Sequence, residues 1–69
     1  MEKYKVIKRV ILSFNTHNSQ SDFYIFPDEI IESDGKSMFV EFDGKLLESI
    51  TYPEPFLTNG VKMGVLEKL

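Results

Sequence analysis

Two short stretches, Glu32-Ser33-Asp34-Gly35-Lys36 and Glu41-Phe42-Asp43-Gly44-Lys45, repeat the pattern Glu-x-Asp-Gly-Lys nine residues apart. Each fits a hairpin with a three-residue loop, in which a type I turn is followed by glycine in the left-handed conformation. In that register the glutamate and the lysine of each stretch face each other as an exposed pair of opposite charge. The repeat predicts a three-stranded meander over about 29–33, 36–42 and 45–51.

This register also sorts the apolar side chains of the meander onto two faces. The predicted core face carries Ile30, Met38, Val40, Leu46 and Ile50. The second face carries Ile31, Phe39 and Leu47 among Ser37, Ser49 and Thr51. Water does not favour such an apolar strip unless another segment or a partner covers it. A two-residue turn would reassign the faces, because a slip of one residue inverts every side chain.

The segment Tyr4–Phe14 predicts one long strand, because its side chains alternate and several are β-branched. One face carries Tyr4, Val6, Val10, Leu12 and Phe14, with Lys8 as the exception. A helix is the alternative, since Tyr4, Ile7, Ile11 and Phe14 would also share a helical stripe. The strand is favoured because no capping residue precedes the segment.

The remaining segments contain frequent turn and loop residues. Asn15–Asp22 is a run of eight polar residues and predicts a loop, followed by a short strand over Phe23–Phe26 that Pro27 ends. Tyr52-Pro53-Glu54-Pro55 predicts a connector, and Asn59-Gly60 predicts a turn. Residues 61–69 predict a final strand from the alternation of their valines, or alternatively a helix.

These elements predict a mainly β fold, with residues 1–69 as a single domain. We expect an antiparallel barrel or rolled sheet of five to six short strands around the meander. The order of long first strand, polar loop, meander, proline-marked connector and final strand resembles the layout of SH3-like barrels. The resemblance concerns layout alone and assigns no binding residue.

Length and composition limit the class of protein. A chain of 69 residues without cysteine has neither disulfides nor thiolate sites, and its small core would gain from a homodimer. No apolar run is long enough for a signal peptide or a membrane span, so a cytoplasmic location is expected. The absence of alanine and the seven lysines to one arginine suggest an A+T-rich genome, such as that of a phage or mobile element.

No catalytic constellation is evident, and the chain is not expected to be an enzyme. His17 is the single imidazole and lies among loop residues, where nearby Ser19, Ser21 and Asp22 do not by themselves make a Ser-His-Asp site. The Asp-Gly-Lys turns lack the spaced oxygen ligands of a calcium loop and the glycine spacing of a phosphate loop. We therefore expect no metal and no cofactor.

The favoured hypothesis is a protein-binding module, modulator or inhibitor that acts by surface contact with another protein. Six aromatic residues exceed what so small a core comfortably hides, namely Phe23, Tyr24, Phe26, Phe39, Tyr52 and Phe56. Aromatic side chains are enriched in interface cores. The segment from Tyr52 to Phe56 presents two of them on a stiff, proline-rich stretch. The expected partner-binding residues are Phe39, Leu47, Tyr52, Glu54 and Phe56.

Charge asymmetry supports two alternatives. Residues 1–20 carry four basic side chains against one acidic, and a basic strand could bind single-stranded nucleic acid through Lys3, Tyr4, Lys5, Lys8 and Arg9. A sequence pI of about 5.0 argues against nucleic acid as a partner. Conversely, Asp22 to Glu54 contains nine acidic residues against two lysines, which could form an acidic surface that blocks a nucleic-acid-binding protein.

Overall fold

The computed structural model describes residues 1–69 as seven strands and one helix. The strands are β1 (Glu2–Val6), β2 (Val10–Thr16), β3 (Ser19–Ile25), β4 (Ile30–Ser33), β5 (Met38–Phe42), β6 (Lys45–Ser49) and β7 (Leu66–Lys68); helix α1 (Pro53–Lys62) lies between β6 and β7. The single helix is too short and too polar to cross a membrane.

The strands form two antiparallel sheets. Five strands pair in the order β6-β5-β4-β1-β7, and β2 pairs with β3 as a separate hairpin. The predicted mainly β, antiparallel architecture is thus confirmed. No closed barrel is present, so the SH3-like layout is not confirmed.

The segment predicted as one long first strand bends at Ile7–Arg9 and divides between the two sheets. The face predicted to carry Tyr4, Val6, Val10, Leu12 and Phe14 turns inward. All of these residues are buried except Val10, which is half-buried. The bend falls at Lys8, where the alternation of apolar residues is interrupted. The backbone N–H of Ile7 donates to the carbonyl of Val65 at 2.8 Å and holds the bend against the segment before β7.

The polar run Asn15–Asp22, predicted as a loop, is instead the tip of the β2–β3 hairpin. Thr16 lies opposite Ser19, so the turn consists of His17 and Asn18. Residues 15–20 are exposed, and their strands therefore show no apolar alternation. Backbone hydrogen bonds hold this part of the ladder without any buried side chain, which is why the prediction was wrong.

The meander has the predicted strand order, but its register differs at both turns. Ser33 lies opposite Met38, so the first turn holds four residues and Glu32 faces Phe39, not Lys36. The Asp34 carboxylate shapes this turn by accepting the N–H groups of Lys36 and Ser37, both at 2.9 Å.

The second turn holds two residues, Asp43 and Gly44, with φ of 51° and 78°. Positive φ at both central positions is typical of a type I′ turn, whose twist matches that of the strands. Glu41 consequently faces Leu46 and not Lys45.

The altered register corrects the predicted faces. Met38 and Val40 are buried as predicted, whereas Ile30, Leu46 and Ile50 are exposed. Ile31 and Ser49, predicted for the second face, point into the core. Ile31 has no exposed surface, while 37% of the neighbouring Ile30 is exposed.

The C-terminal part combines both alternatives considered for it. The segment predicted as a connector leads into α1. Glu54 is extended, with φ of −116° and ψ of 140°, and the regular helix runs on from Pro55, since proline is compatible with the first helical turn. Asn59-Gly60, predicted as a turn, lies inside the helix: a Cβ at Gly60 would come within 2.6 Å of the Leu66 Cδ1, so glycine permits close contact with β7.

A Schellman motif ends α1. Gly64 has φ of 75°, its N–H donates to the Val61 carbonyl at 3.1 Å, and the Val65 N–H donates to the Gly60 carbonyl at 2.8 Å. The chain can then reverse directly into β7. One core joins the elements; its buried apolar members are Tyr4, Val6, Leu12, Phe14, Ile25, Ile31, Met38, Val40, Leu57 and Leu66.

Candidate functional site

An apolar groove of about 470 Å³ runs along one side of α1 and is the candidate site. We call it the α1 groove. Its apolar lining consists of Val10, Tyr52, Pro55, Phe56, Met63 and Val65. It therefore joins the helix to the first residue of β2 and to the segment before β7.

Helical spacing places one wall of the α1 groove. Phe56, Asn59, Gly60 and Met63 follow the spacing i, i+3, i+4, i+7, which puts them on one face of a helix. Leu57 lies on a different face and is buried in the core. The helix thus buries Pro53 and Leu57 and turns the face that carries Phe56 and Met63 toward the groove.

The floor and the rim of the α1 groove differ in burial. Val10, Phe56 and Val65 are half-buried and pack against the core, so the floor is fixed. Tyr52 and Met63 are 81% and 71% exposed, and they stand at the rim. A fixed apolar floor with exposed large side chains around it can hold an apolar group by shape and burial.

Glu54 is the single charged residue that lines the groove. Its carboxylate accepts a hydrogen bond from the Thr58 hydroxyl at 2.5 Å, one turn further along the helix. The groove therefore holds no pair of charged groups.

The five residues predicted to bind a partner do not form one surface. Tyr52, Glu54 and Phe56 come together in the α1 groove. Phe39 lies half-buried on the outer face of the larger sheet, opposite Glu32 and Glu48, and Leu47 is exposed at the same sheet's edge strand on the other face.

Sequence reasoning missed several groove residues, namely Val10, Pro55, Met63 and Val65. The helical spacing from Phe56 to Met63 could have revealed one wall. Val10 and Val65 reach the groove through the bend at Ile7–Arg9 and the end of α1, and local sequence does not specify either contact.

The basic N-terminal residues are dispersed. Tyr4 is buried, and burial together with the nearby Glu2 carboxylate raises the pKa of its hydroxyl. Lys5 lies 3.5 Å from the carboxylate of Asp28, and Lys3 sits opposite Glu32 on the sheet. Lys8 is exposed at the bend.

Arg9 differs from the other basic residues because it contacts an aromatic ring. Its guanidinium lies over the ring of Tyr24, 4.4 Å from the ring centroid, in a cation–π contact. Phe26 adjoins Tyr24 with ring centroids 6.1 Å apart, and about half of each of these two side chains is exposed. Here an aromatic surface and a cation meet on the outside of the hairpin.

The polar side chains form no recognisable catalytic arrangement. The Ser13 hydroxyl donates to the Asp22 carboxylate at 2.7 Å, but His17 sits in the turn at the hairpin tip and makes no hydrogen bond to either. No three His, Asp or Glu side chains approach one another closely enough to hold a metal ion.

No protein-family model, curated protein or solved structure matches this chain.

Proposed function

We propose that this chain is a small non-enzymatic protein-binding module whose α1 groove receives apolar side chains of a partner protein. By covering those side chains of the partner, the chain acts as a modulator or inhibitor. The proposal is carried by one observation, the exposure of Tyr52 and Met63 above a fixed apolar floor.

Both rim residues are suited to protein contact. Tyrosine offers a large, rigid, amphipathic surface with few rotatable bonds, and methionine adapts its shape to irregular apolar partners. The helix and the two half-buried valines fix the floor, so little ordering is needed when a partner binds. A single carboxylate, already bonded to Thr58, favours an apolar segment over a strongly charged one.

Nucleic acid as a partner has less support. Tyr4 is in the core and offers no ring for stacking, and Lys5 is paired with Asp28. The acidic-surface alternative also has less support, because its carboxylates do not form one patch. Glu32 and Glu48 flank Phe39 on the larger sheet, whereas Glu54 lies at the α1 groove.

The test uses a variant with both rim residues replaced, Tyr52→Ser with Met63→Ser, and Leu46→Ser as the matched control. Leu46 is an exposed apolar residue outside the groove. Proteins captured by the wild-type chain and by the control, but not by the rim variant, are candidate partners. For such a partner we expect binding to weaken by at least about tenfold in the rim variant.

Calorimetry over a salt series separates the alternatives. Contact through the α1 groove predicts weak dependence of affinity on salt, whereas binding to phosphates requires a steep loss. A partner bound equally well by the wild type and the rim variant would overturn the proposal.

A further inference from the structure

The outer edge of β3 presents backbone groups without partners. Ser13 lies opposite Asp22; its N–H donates to the Thr51 hydroxyl and its carbonyl accepts the Ile50 N–H, both at 2.9 Å and both away from β3. Opposed residues of an antiparallel pair turn their backbone groups in the same sense, inward or outward. Asp22 therefore points its N–H and carbonyl out of the sheet.

The same orientation recurs at every second residue of the strand. Gln20 and Tyr24 thus also direct their N–H and carbonyl groups outward. The row ends at Phe26, whose N–H already donates to the Glu29 carboxylate at 2.9 Å. Seven consecutive residue pairs join β3 to β2 without a bulge, so the edge is uninterrupted over its whole length.

One edge of the larger sheet shows how such an edge is usually protected. The edge strand β7 has three residues, carries Glu67 and Lys68, and lies against α1. Natural edge strands avoid pairing by being short, charged, interrupted or covered. In contrast, β3 has seven residues with no lysine, proline or glycine, and Asp22 is its single charge.

Aromatic side chains flank the β3 edge on both faces. On the outer face Tyr24 adjoins Phe26 and carries the Arg9 guanidinium. On the inner face Phe23 is partly exposed and packs edge-on against Phe14, with ring centroids 5.6 Å apart. An added strand would bury apolar surface on each side of its backbone.

We propose that the β3 edge pairs antiparallel with β3 of a second copy of this chain, with the two-fold axis at Phe23. An axis at Asp22 would place two like charges opposite each other, which is destabilising. An axis at Phe23 places Asp22 opposite Tyr24 of the second copy, next to the Arg9 that lies over that ring. Charge complementarity therefore selects this register, and symmetry repeats the contact twice.

The resulting dimer is a continuous four-stranded sheet with β2 at each end. Each pairing of Asp22 with Tyr24 exchanges both backbone hydrogen bonds, and Phe23 meets its own copy at the close-spaced position. The pairing also buries additional apolar surface, which a chain of this size cannot bury by itself. No residue that lines the α1 groove lies in β3, so dimerisation and partner binding can fail independently.

Sedimentation equilibrium over a range of protein concentrations tests this pairing through a charge exchange. The wild-type chain is expected to dimerise reversibly, and Arg9→Asp or Asp22→Arg alone to weaken the dimer at least about tenfold. The double variant, which restores opposite charges, is expected to recover to within about threefold of the wild type.

Glu41→Arg is the matched control, since it makes the same charge change at an exposed strand position outside β3. It is expected to leave the dimerisation constant within about threefold of the wild type. Far-ultraviolet circular dichroism confirms that each variant is folded. A wild-type chain that stays monomeric at millimolar concentration overturns the proposal, as does a dimer that the single variants leave intact or the double variant does not restore.

Discussion

The two sheets contribute to one core but differ in their outer faces. The five-stranded sheet presents charged side chains outward, among them Lys3, Glu32 and Glu48, which lie in one row across its strands with Phe39. The β2–β3 hairpin presents Ile11, Tyr24 and Phe26, each about half exposed. The exposed aromatic rings of the hairpin adjoin one another, whereas the apolar side chains on the outer face of the larger sheet lie among charged ones.

The junction between the sheets depends on Ser13. Its carbonyl accepts a hydrogen bond from the buried Ser49 hydroxyl at 2.7 Å and another from the Ile50 N–H at 2.9 Å. The burial of Ser49 is therefore explained by its role in holding β2 against the end of β6.

The largest expected effect distinguishes the inner and outer faces of the larger sheet. Ile31→Ala removes a fully buried side chain, and we expect unfolding in urea to require about 2–5 kcal/mol less free energy. Ile30→Ala changes an exposed neighbour and is expected to cost about 1 kcal/mol or less. Equal losses for the two variants, or the reverse order, would contradict the observed register.

A smaller effect is expected at the junction of the two sheets. Ser49→Ala removes the hydroxyl that bonds the Ser13 carbonyl and accepts the Thr51 N–H, at a cost of about 1–2 kcal/mol. Ser37→Ala is the control, because the Ser37 hydroxyl bonds Glu48 on the exposed outer face and its loss should change little. If urea unfolding shows the same stability for both variants, Ser49 does not join the sheets.

The alternation from Tyr4 to Phe14 grouped on one face the side chains that turn inward in the structure, because a period of two survives the bend between the sheets. It could not determine turn length, since Asp-Gly suits turns of several sizes. The two Glu-x-Asp-Gly-Lys stretches adopt different turns because Asp34 and Ser37 hold four residues in the first. Turn length in turn set which of Ile30 and Ile31 is buried.

The candidate site was only partly predictable for a related reason. Tyr52 and Phe56 stood out as aromatics beside prolines, and both line the α1 groove. The prolines suggested a connector; Glu54 between them is indeed extended, but Pro55 continues into the first regular turn of the helix, which accepts proline. Val10 and Val65 lie far apart in sequence and meet the helix through tertiary contacts, which no local pattern encodes.

The smallest expected effect concerns pH and the first turn of the larger sheet. Hydrogen bonds from the N–H groups of Lys36 and Ser37 lower the pKa of the Asp34 carboxyl below its ordinary value of 3.8. A carboxyl group whose pKa is lower in the folded state stabilises the fold at pH values above its unfolded-state pKa. This stabilisation is lost as the pH falls through the folded-state pKa. We expect the midpoint temperature of thermal unfolding to decrease as the pH is lowered below about 4, in part because Asp34 becomes protonated.

Asp34→Asn is the control for this titration, since it keeps an acceptor oxygen but has no proton to gain. Its thermal midpoint should decline less steeply than that of the wild type between pH 5 and pH 3. Identical declines would show that Asp34 does not contribute. Glu2, whose pKa the hydrogen bond to Lys68 lowers, titrates in the same direction in both proteins.

The open edge of β3 is tested most directly by amide hydrogen exchange along this strand, measured by NMR in dilute and concentrated protein. In dilute protein we predict protection at Ser21 and Phe23 but rapid exchange at Asp22 and Tyr24. At high concentration Asp22 and Tyr24 should become protected as a second copy pairs with them. Rapid exchange at both residues at every concentration, or protection already present in dilute protein, would contradict the open edge and its proposed occupant.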